Sequence, residues 1–288
     1  MIIICGGVIM KTISINKTFV VNLDDKIHRY DLFRNLPNVE RQGAIDSRIN
    51  WFVYEDYKLS LTPCGRNTIH YFTQSKGAVG CYLSHYEIWR KILTNNYEWT
   101  LILEDDANIN DVEEYVGTCI EIEDGIDLIQ LNNRTQHGDL QNYFNGTTAY
   151  LLNHRAAKIL LNSTHDFSYF NENPNELLDW RVRELNLYTC PCIYDDCPRT
   201  ECLNTPNSIR VAVDKHIGYN SFHSIPADKR IKIKFDPRIE IHETCGVKSD
   251  VSGNEKPFYE MDCKELTKLE CREDFKWWEI PNEFKKKV

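Results

Sequence analysis

The chain has 288 residues, 42% of them hydrophobic, enough for one sizeable core; length alone allows a single domain or a main domain with an appendage. Asp and Glu number 43 against 34 Lys and Arg, a formal net charge of -9 that excludes the broad basic footprint of a nucleic-acid or anionic-membrane binder. No apolar run approaches the roughly 18 residues a spanning helix needs, so the expectation is a soluble protein without a membrane span.

Met1 to Met10 is apolar but has no basic leading region, and the polar stretch Lys11 to Lys17 follows without a clear cleavage site, which makes a poor signal peptide. Phe19-Val20-Val21-Asn22-Leu23 is a short apolar run rich in β-branched residues; Asp24-Asp25 then turns the chain into a helical stretch near Lys26 to Leu36. A second strand is expected to end at Ala44-Ile45-Asp46. From Val79 the residues Leu83, Tyr86, Trp89 and Leu93 recur with helical period, with Ser75 or Lys76-Gly77 opening the helix.

Trp99-Thr100-Leu101-Ile102-Leu103 then forms a compact strand running straight into Glu104-Asp105-Asp106. Further strands are expected at Leu128 to Leu131 and Thr148 to Leu152, with helices over Arg155 to Leu161 and Glu176 to Leu185. Strands alternating with helices up to about residue 190 predict an α/β sandwich. Beyond it, Arg230-Ile231-Lys232-Ile233-Lys234-Phe235 alternates like a half-exposed strand, and Lys285-Lys286-Lys287 reads as a solvated tail.

Seven of the eleven cysteines crowd the later part: Cys190, Cys192, Cys197, Cys202, Cys245, Cys263 and Cys271. The first four lack the two close pairs of a zinc ribbon, which favours a disulfide framework over a metal knot. N-glycosylation triplets begin at Asn16, Asn133, Asn145 and Asn162, but they matter only in a secretory compartment and do not fix a location.

The chemistry gathers on Glu104-Asp105-Asp106. Three successive carboxylates at the tip of a buried strand repel one another unless a cation or a basic group compensates them. Mg²⁺ and Mn²⁺ take oxygen ligands, usually one or two carboxylates plus phosphate oxygens, and the carboxyl end of a strand is where open α/β sheets bind ligands. The plainer alternative is a surface turn rich in Asp.

Several stretches in chain order resemble glycosyltransferase family 25, which contains lipooligosaccharide sugar transferases and collagen β-galactosyltransferases. They are Phe19 to Asp24 with Arg29; Ala44-Ile45-Asp46; Gly77-Ala78-Val79-Gly80-Cys81-Tyr82-Leu83-Ser84-His85 with Trp89; Leu101 to Asp106; and Gly146 to Leu151 with Ala156-Ala157. Asp179 lies where a family aspartate is expected.

The resemblance implies a GT-A type, Rossmann-like fold over residues 18–225, and the cysteine-rich remainder over 226–288 reads as an extension packed on it. It also implies inverting transfer of a hexose, galactose or glucose, from a UDP-sugar. Asn22, Leu23 and Asp46 would border the nucleotide, with Arg29 contacting it or bracing the loop. Ser84 and His85 would lie near the donor at the helix start, although a histidine on an apolar helix is commonly a hydrogen-bonded core residue.

Asp106 and Glu104 would hold Mn²⁺ or Mg²⁺, and Asp105 would reach the sugar or ribose. His216, in a His-Ile-Gly segment similar to one in other GT-A transferases, would complete the metal site, the alternative being a loop histidine. Asp179 would be the base that takes the acceptor proton. The acceptor would be a glycan or a collagen-type hydroxylysine. The competing readings are a metal-dependent nucleotidyltransferase or phosphohydrolase, which needs further carboxylates near the trio, and a carbohydrate-binding module without turnover.

Overall fold

The computed structural model describes residues 2–5, 8–47, 49, 53–61, 77–108, 112, 115, 116, 118–132, 144, 146–165, 207–209, 213–221 and 225–239. They fall into two compact units: one drawn from residues 1–45, 83–163 and 213–247, the other from 46–82, 164–212 and 248–288.

The first unit is built on two sheets. β1 (Ile2–Cys5), β2 (Val8–Ser14) and β7 (Cys119–Glu123) form an antiparallel three-stranded sheet. The six-stranded sheet contains β3 (Lys17–Asn22), β4 (Val39–Gly43), β6 (Trp99–Glu104), β8 (Leu128–Asn132), β9 (Ala149–Asn153) and β11 (Ile233–Ile239). Its spatial order is β11-β8-β9-β6-β3-β4. β3 pairs in parallel with β4 and β6, and β8 with β11, whereas β9 runs antiparallel to both β6 and β8. Five carboxyl ends therefore share one edge, in a mixed α/β architecture compatible with a Rossmann-like fold.

Strands buried on both faces lose the apolar-polar alternation of a half-exposed sheet. β6 is buried from Trp99 to Leu103 and β8 throughout, the polar Thr100, Gln130 and Asn132 included. On one face Val20, Leu101, Leu103, Ile129, Leu131, Ala149 and Leu151 join Ile13 and Ile122 of the small sheet in a single core. The opposite face meets helix α2 (Gly77–Thr94): His85 and Trp89 reach the Tyr150 hydroxyl of β9, and Lys91 lies over Phe19 of β3. Among the described residues the unit also has helices α1 (Ile27–Tyr30), α3 (His154–His165) and α4 (Val213–Tyr219).

The second unit contains the parallel pair β5 (Ser60–Leu61) and β10 (Ser208–Ile209), a 3-10 turn over Val53–Tyr57, and the start of α2, where Gly80 N donates to Ser47 Oγ at 2.8 Å.

Several boundaries move from the sequence expectation. The second strand ends at Gly43 and not at Asp46, with Ala44 N making one further bond to Asn22 O at 2.9 Å. The helix expected over 155–161 extends to His154–His165, and the segment expected over 230–235 is strand from Ile233 onward. That strand pairs with β8, so residues 233–239, which the sequence reading assigned to an extension, form an edge of the six-stranded sheet. The helix expected over 176–185, the cysteines from Cys190 to Cys202 and from Cys245 to Cys271, and Lys285 to Lys287 lie outside the described residues. Among the described residues Cys119 is a free thiol.

Candidate active site

The chain runs from β3 to its neighbour β4 on one side and then crosses to β6 on the other, so the strand order reverses between β3 and β6. Ligands of open α/β sheets bind in the crevice beyond the carboxyl ends at such a reversal. Register sets Val21 opposite Glu104 and Asn22 opposite Gly43, which places Asn22 beside Asp105 at the sheet's edge.

Asn22 Nδ2 donates to Asp105 Oδ2 at 2.6 Å and to Lys26 O at 2.9 Å, while Asn22 Oδ1 accepts from Arg41 Nε at 2.8 Å. Arg41 also donates through Nη2 to Asn22 O at 3.0 Å and to Asp24 Oδ1. Arg29, from α1, approaches Asp105 Oδ1 with Nη1 at 3.4 Å. Burial pushes the Asp105 carboxyl above its ordinary range; the Asn22 amide and the Arg29 charge oppose the rise, and neighbouring Glu104 adds to it.

Successive side chains of a strand point to opposite faces, and this splits the acidic trio. Asp105 goes to Asn22 and Arg29, and Glu104 goes to the face covered by α2. There Glu104 Oε1 accepts from Thr147 Oγ1 at 2.5 Å and lies 3.5 Å from His85 Nε2. Thr147 is brought in by a turn in which Gly146 has φ 72°, a conformation that costs glycine little. Asn132 of β8 holds that turn, donating from Nδ2 to Gly146 O at 3.0 Å, and Gly146 N donates to Asp214 of α4 at 3.4 Å. Asp106 follows at the turn, partly exposed. A Glu104 carboxylate oxygen, a His85 ring nitrogen and Cys81 Sγ all lie within 4.8 Å of one another, a donor group that could hold a divalent cation, with the Asp106 carboxylate two residues along the chain.

The site residues read from the sequence thus separate into groups. Asn22, Arg29 and Asp105 come together, with Arg29 bracing Asp105, while Glu104 meets His85 on the other face. Leu23 is half-buried and its carbonyl accepts from Lys26 N at 3.0 Å, closing the turn after β3. Ser84 and His85 are fully buried in the body of α2, not at its start, because the helix opens at Gly77; Ser84 Oγ accepts from Ile45 N at 2.9 Å.

His216 is no loop residue: it is buried in α4, its Nε2 lies 3.0 Å from Ser163 Oγ and 3.1 Å from Leu160 O, and its ring stacks on Trp89. That nitrogen is spent on the packing of α4 against α3, in the manner of a core histidine. Asp46 belongs to the second unit, where its carbonyl accepts from Ile49 N at 3.2 Å. Asp179 lies outside the described residues.

The sequence reading missed Arg41 and gave no role to Thr147 or Tyr150. Arg41 sits in a half-buried strand, and only the register of β4 against β3 reveals that it serves Asn22.

Comparison with known proteins places the same segment. Residues 15–139 match the family model described as "Glycosyltransferase family 25 (LPS biosynthesis protein)". The chain is 25% identical over 123 residues to human "Procollagen galactosyltransferase 2", covering 41% of this chain and 19% of that protein. It is 25% identical over 232 residues to a "Glycosyltransferase 25 family member" of Aedes aegypti, covering 64% of this chain and 37% of that protein. Over 69 residues it is 32% identical to mouse "Inactive glycosyltransferase 25 family member 3", covering 24% of this chain and 12% of that protein. The matched stretches are thus well under half the length of these relatives. Among the described residues no helix is long and apolar enough to cross a membrane.

Proposed function

We propose, from the match of residues 15–139 to glycosyltransferase family 25, that this chain is a glycosyltransferase that moves a hexose from a UDP-sugar to an acceptor hydroxyl with inversion. The observation that carries this reading is the 2.6 Å contact of Asn22 with Asp105 across the reversal of strand order, inside the matched segment and beside two further carboxylates. An α/β sheet presents its ligand crevice there.

In this reading Asn22 and Arg29 hold Asp105 toward the donor, and Glu104 and Asp106 hold Mn²⁺ or Mg²⁺. Bound there, the cation would supply positive charge against the diphosphate of the donor. Asp179 takes the proton of the acceptor hydroxyl as it attacks from the face opposite the diphosphate. The names of the relatives favour galactose as the sugar and a collagen-type chain as an acceptor; the family resemblance adds hydroxylysine as the accepting residue and glycans as the other acceptor class.

The test is incubation with UDP-galactose and UDP-glucose in the presence of Mn²⁺, with UDP release read as turnover and an array of hydroxylysine peptides and glycans as acceptors. Turnover is expected with at least one donor, and it stops on chelation of the metal. Donor binding without release or transfer would make the chain a non-catalytic relative, as one of the similar proteins is named.

A further inference from the structure

The fully buried imidazole of His85 makes one strong hydrogen bond and leaves its other nitrogen facing a carboxylate. Nδ1 lies 2.8 Å from the Tyr150 hydroxyl, which also accepts from Trp89 Nε1 at 3.4 Å. Nε2 is buried without a hydrogen-bond partner and points at Glu104 Oε1, 3.5 Å away. Buried polar atoms are nearly always satisfied, so this nitrogen requires an explanation. An ion pair with Glu104 accounts for it poorly, because a charged Nε2–H would close to hydrogen-bonding geometry on the carboxylate.

We infer that His85 is a nitrogen ligand of the divalent cation held at Glu104. Two atoms bound to one ion through bonds of about 2.0–2.2 Å lie about 3.0–3.6 Å apart, a range that includes the observed separation. A metal-bound histidine almost always gives its other N–H to an oxygen that fixes its tautomer and orientation. Tyr150 Oη is placed to be that oxygen: with the proton on Nδ1, the lone pair of Nε2 faces Glu104. His216, the imidazole that the sequence offers for this role, has its Nε2 engaged by Ser163 and Leu160. Cys81 Sγ lies within 4.8 Å of the His85 and Glu104 ligand atoms, so the donors on offer are oxygen, nitrogen and sulfur, a set that suits Mn²⁺ or a softer ion better than Mg²⁺.

The inference rests on the proposed function only in taking Glu104 as a cation ligand, and its test needs no sugar transfer. Mn²⁺ is titrated into the full chain, with and without UDP, and the bound ion is read by pulsed electron paramagnetic resonance. The expected spectrum carries nitrogen modulation that changes on selective ¹⁵N labelling of histidine and disappears in His85→Gln.

Tyr150→Phe keeps the modulation and weakens Mn²⁺ binding roughly ten- to a hundredfold. Should His85→Gln fail to fold, the labelled parent and Tyr150→Phe together decide. Absence of Mn²⁺ binding under both conditions, absence of nitrogen modulation, its persistence in folded His85→Gln, or unchanged affinity in Tyr150→Phe would overturn the inference. If the nitrogen signature is present but no UDP is released from any donor, the transferase reading falls and the metal site stands.

Discussion

Arg41 determines which way the amide of Asn22 faces. A guanidinium only donates, so the atom opposite Arg41 Nε must be Oδ1, and Nδ2 is thereby turned toward Asp105 and Lys26 O. Lysine cannot reproduce the two bonds that Arg41 makes to the side chain and the backbone of Asn22. Arg41→Lys is expected to cost about 1–2 kcal/mol in urea unfolding and to raise the donor KM more than it lowers kcat. Asn22→Asp sets a carboxylate against Asp105 at a contact now 2.6 Å long, and is expected to be worse in both measurements. Retention of full activity by Asn22→Asp would show that the contact does not serve the reaction. Asn22 was singled out by the resemblance of its segment to family 25, whereas its partner Arg41 was not, because nothing local links residues 19 positions apart.

At the scale of elements, Glu40 joins three of them. Lys17 of β3 and Lys91 of α2 both reach the Glu40 carboxylate of β4, at 2.7 and 2.8 Å, and both ammonium groups lie over the Phe19 ring. Burial alone would push the Glu40 carboxyl up; the two lysines outweigh it and hold the group below its ordinary value of 4.5. A carboxyl with a lowered folded-state value binds fewer protons when folded than when unfolded. Its contribution to stability is therefore complete above about pH 4.5 and is lost as pH falls through the lower folded value. Glu40→Gln should flatten the acid limb of a urea-midpoint-against-pH profile and lower the midpoint at neutral pH slightly, since the group is partly exposed. An unchanged acid limb would mean that the lysines do not hold the carboxyl down. The helix that brings in Lys91 was readable from apolar spacing over Val79 to Trp89, because that spacing is a property of one segment.

At the scale of the whole molecule, protection should follow the sheet order. β3, β6 and β9 have neighbours on both sides and are buried almost throughout, whereas β4 and β11 are the edges of the six-stranded sheet and β1 is an edge of the small one. Native-state hydrogen exchange is expected to be slowest in β3, β6 and β9 and faster in β1, β4 and β11, since edge amides open without disrupting the core. Fast exchange in β6 would contradict its central place. The same topology makes the crevice: five strands point their carboxyl ends to one edge while β9 returns between β6 and β8, so the turn that enters it sets Thr147 on Glu104 and the strand itself sets Tyr150 on His85.

The sequence by itself determined the central strands β3, β6, β8 and β9, the principal helix and the carboxylates at the tip of β6, because periodicity, apolar runs and turn residues act over a few neighbouring positions. It could not divide the trio into an Asp105 held by Asn22 and Arg29 and a Glu104 facing His85, nor choose between His85 and His216 as the imidazole beside the carboxylates. Those outcomes belong to the tertiary structure, because register and sheet order decide which distant side chains meet, and burial decides which nitrogen is left to bind.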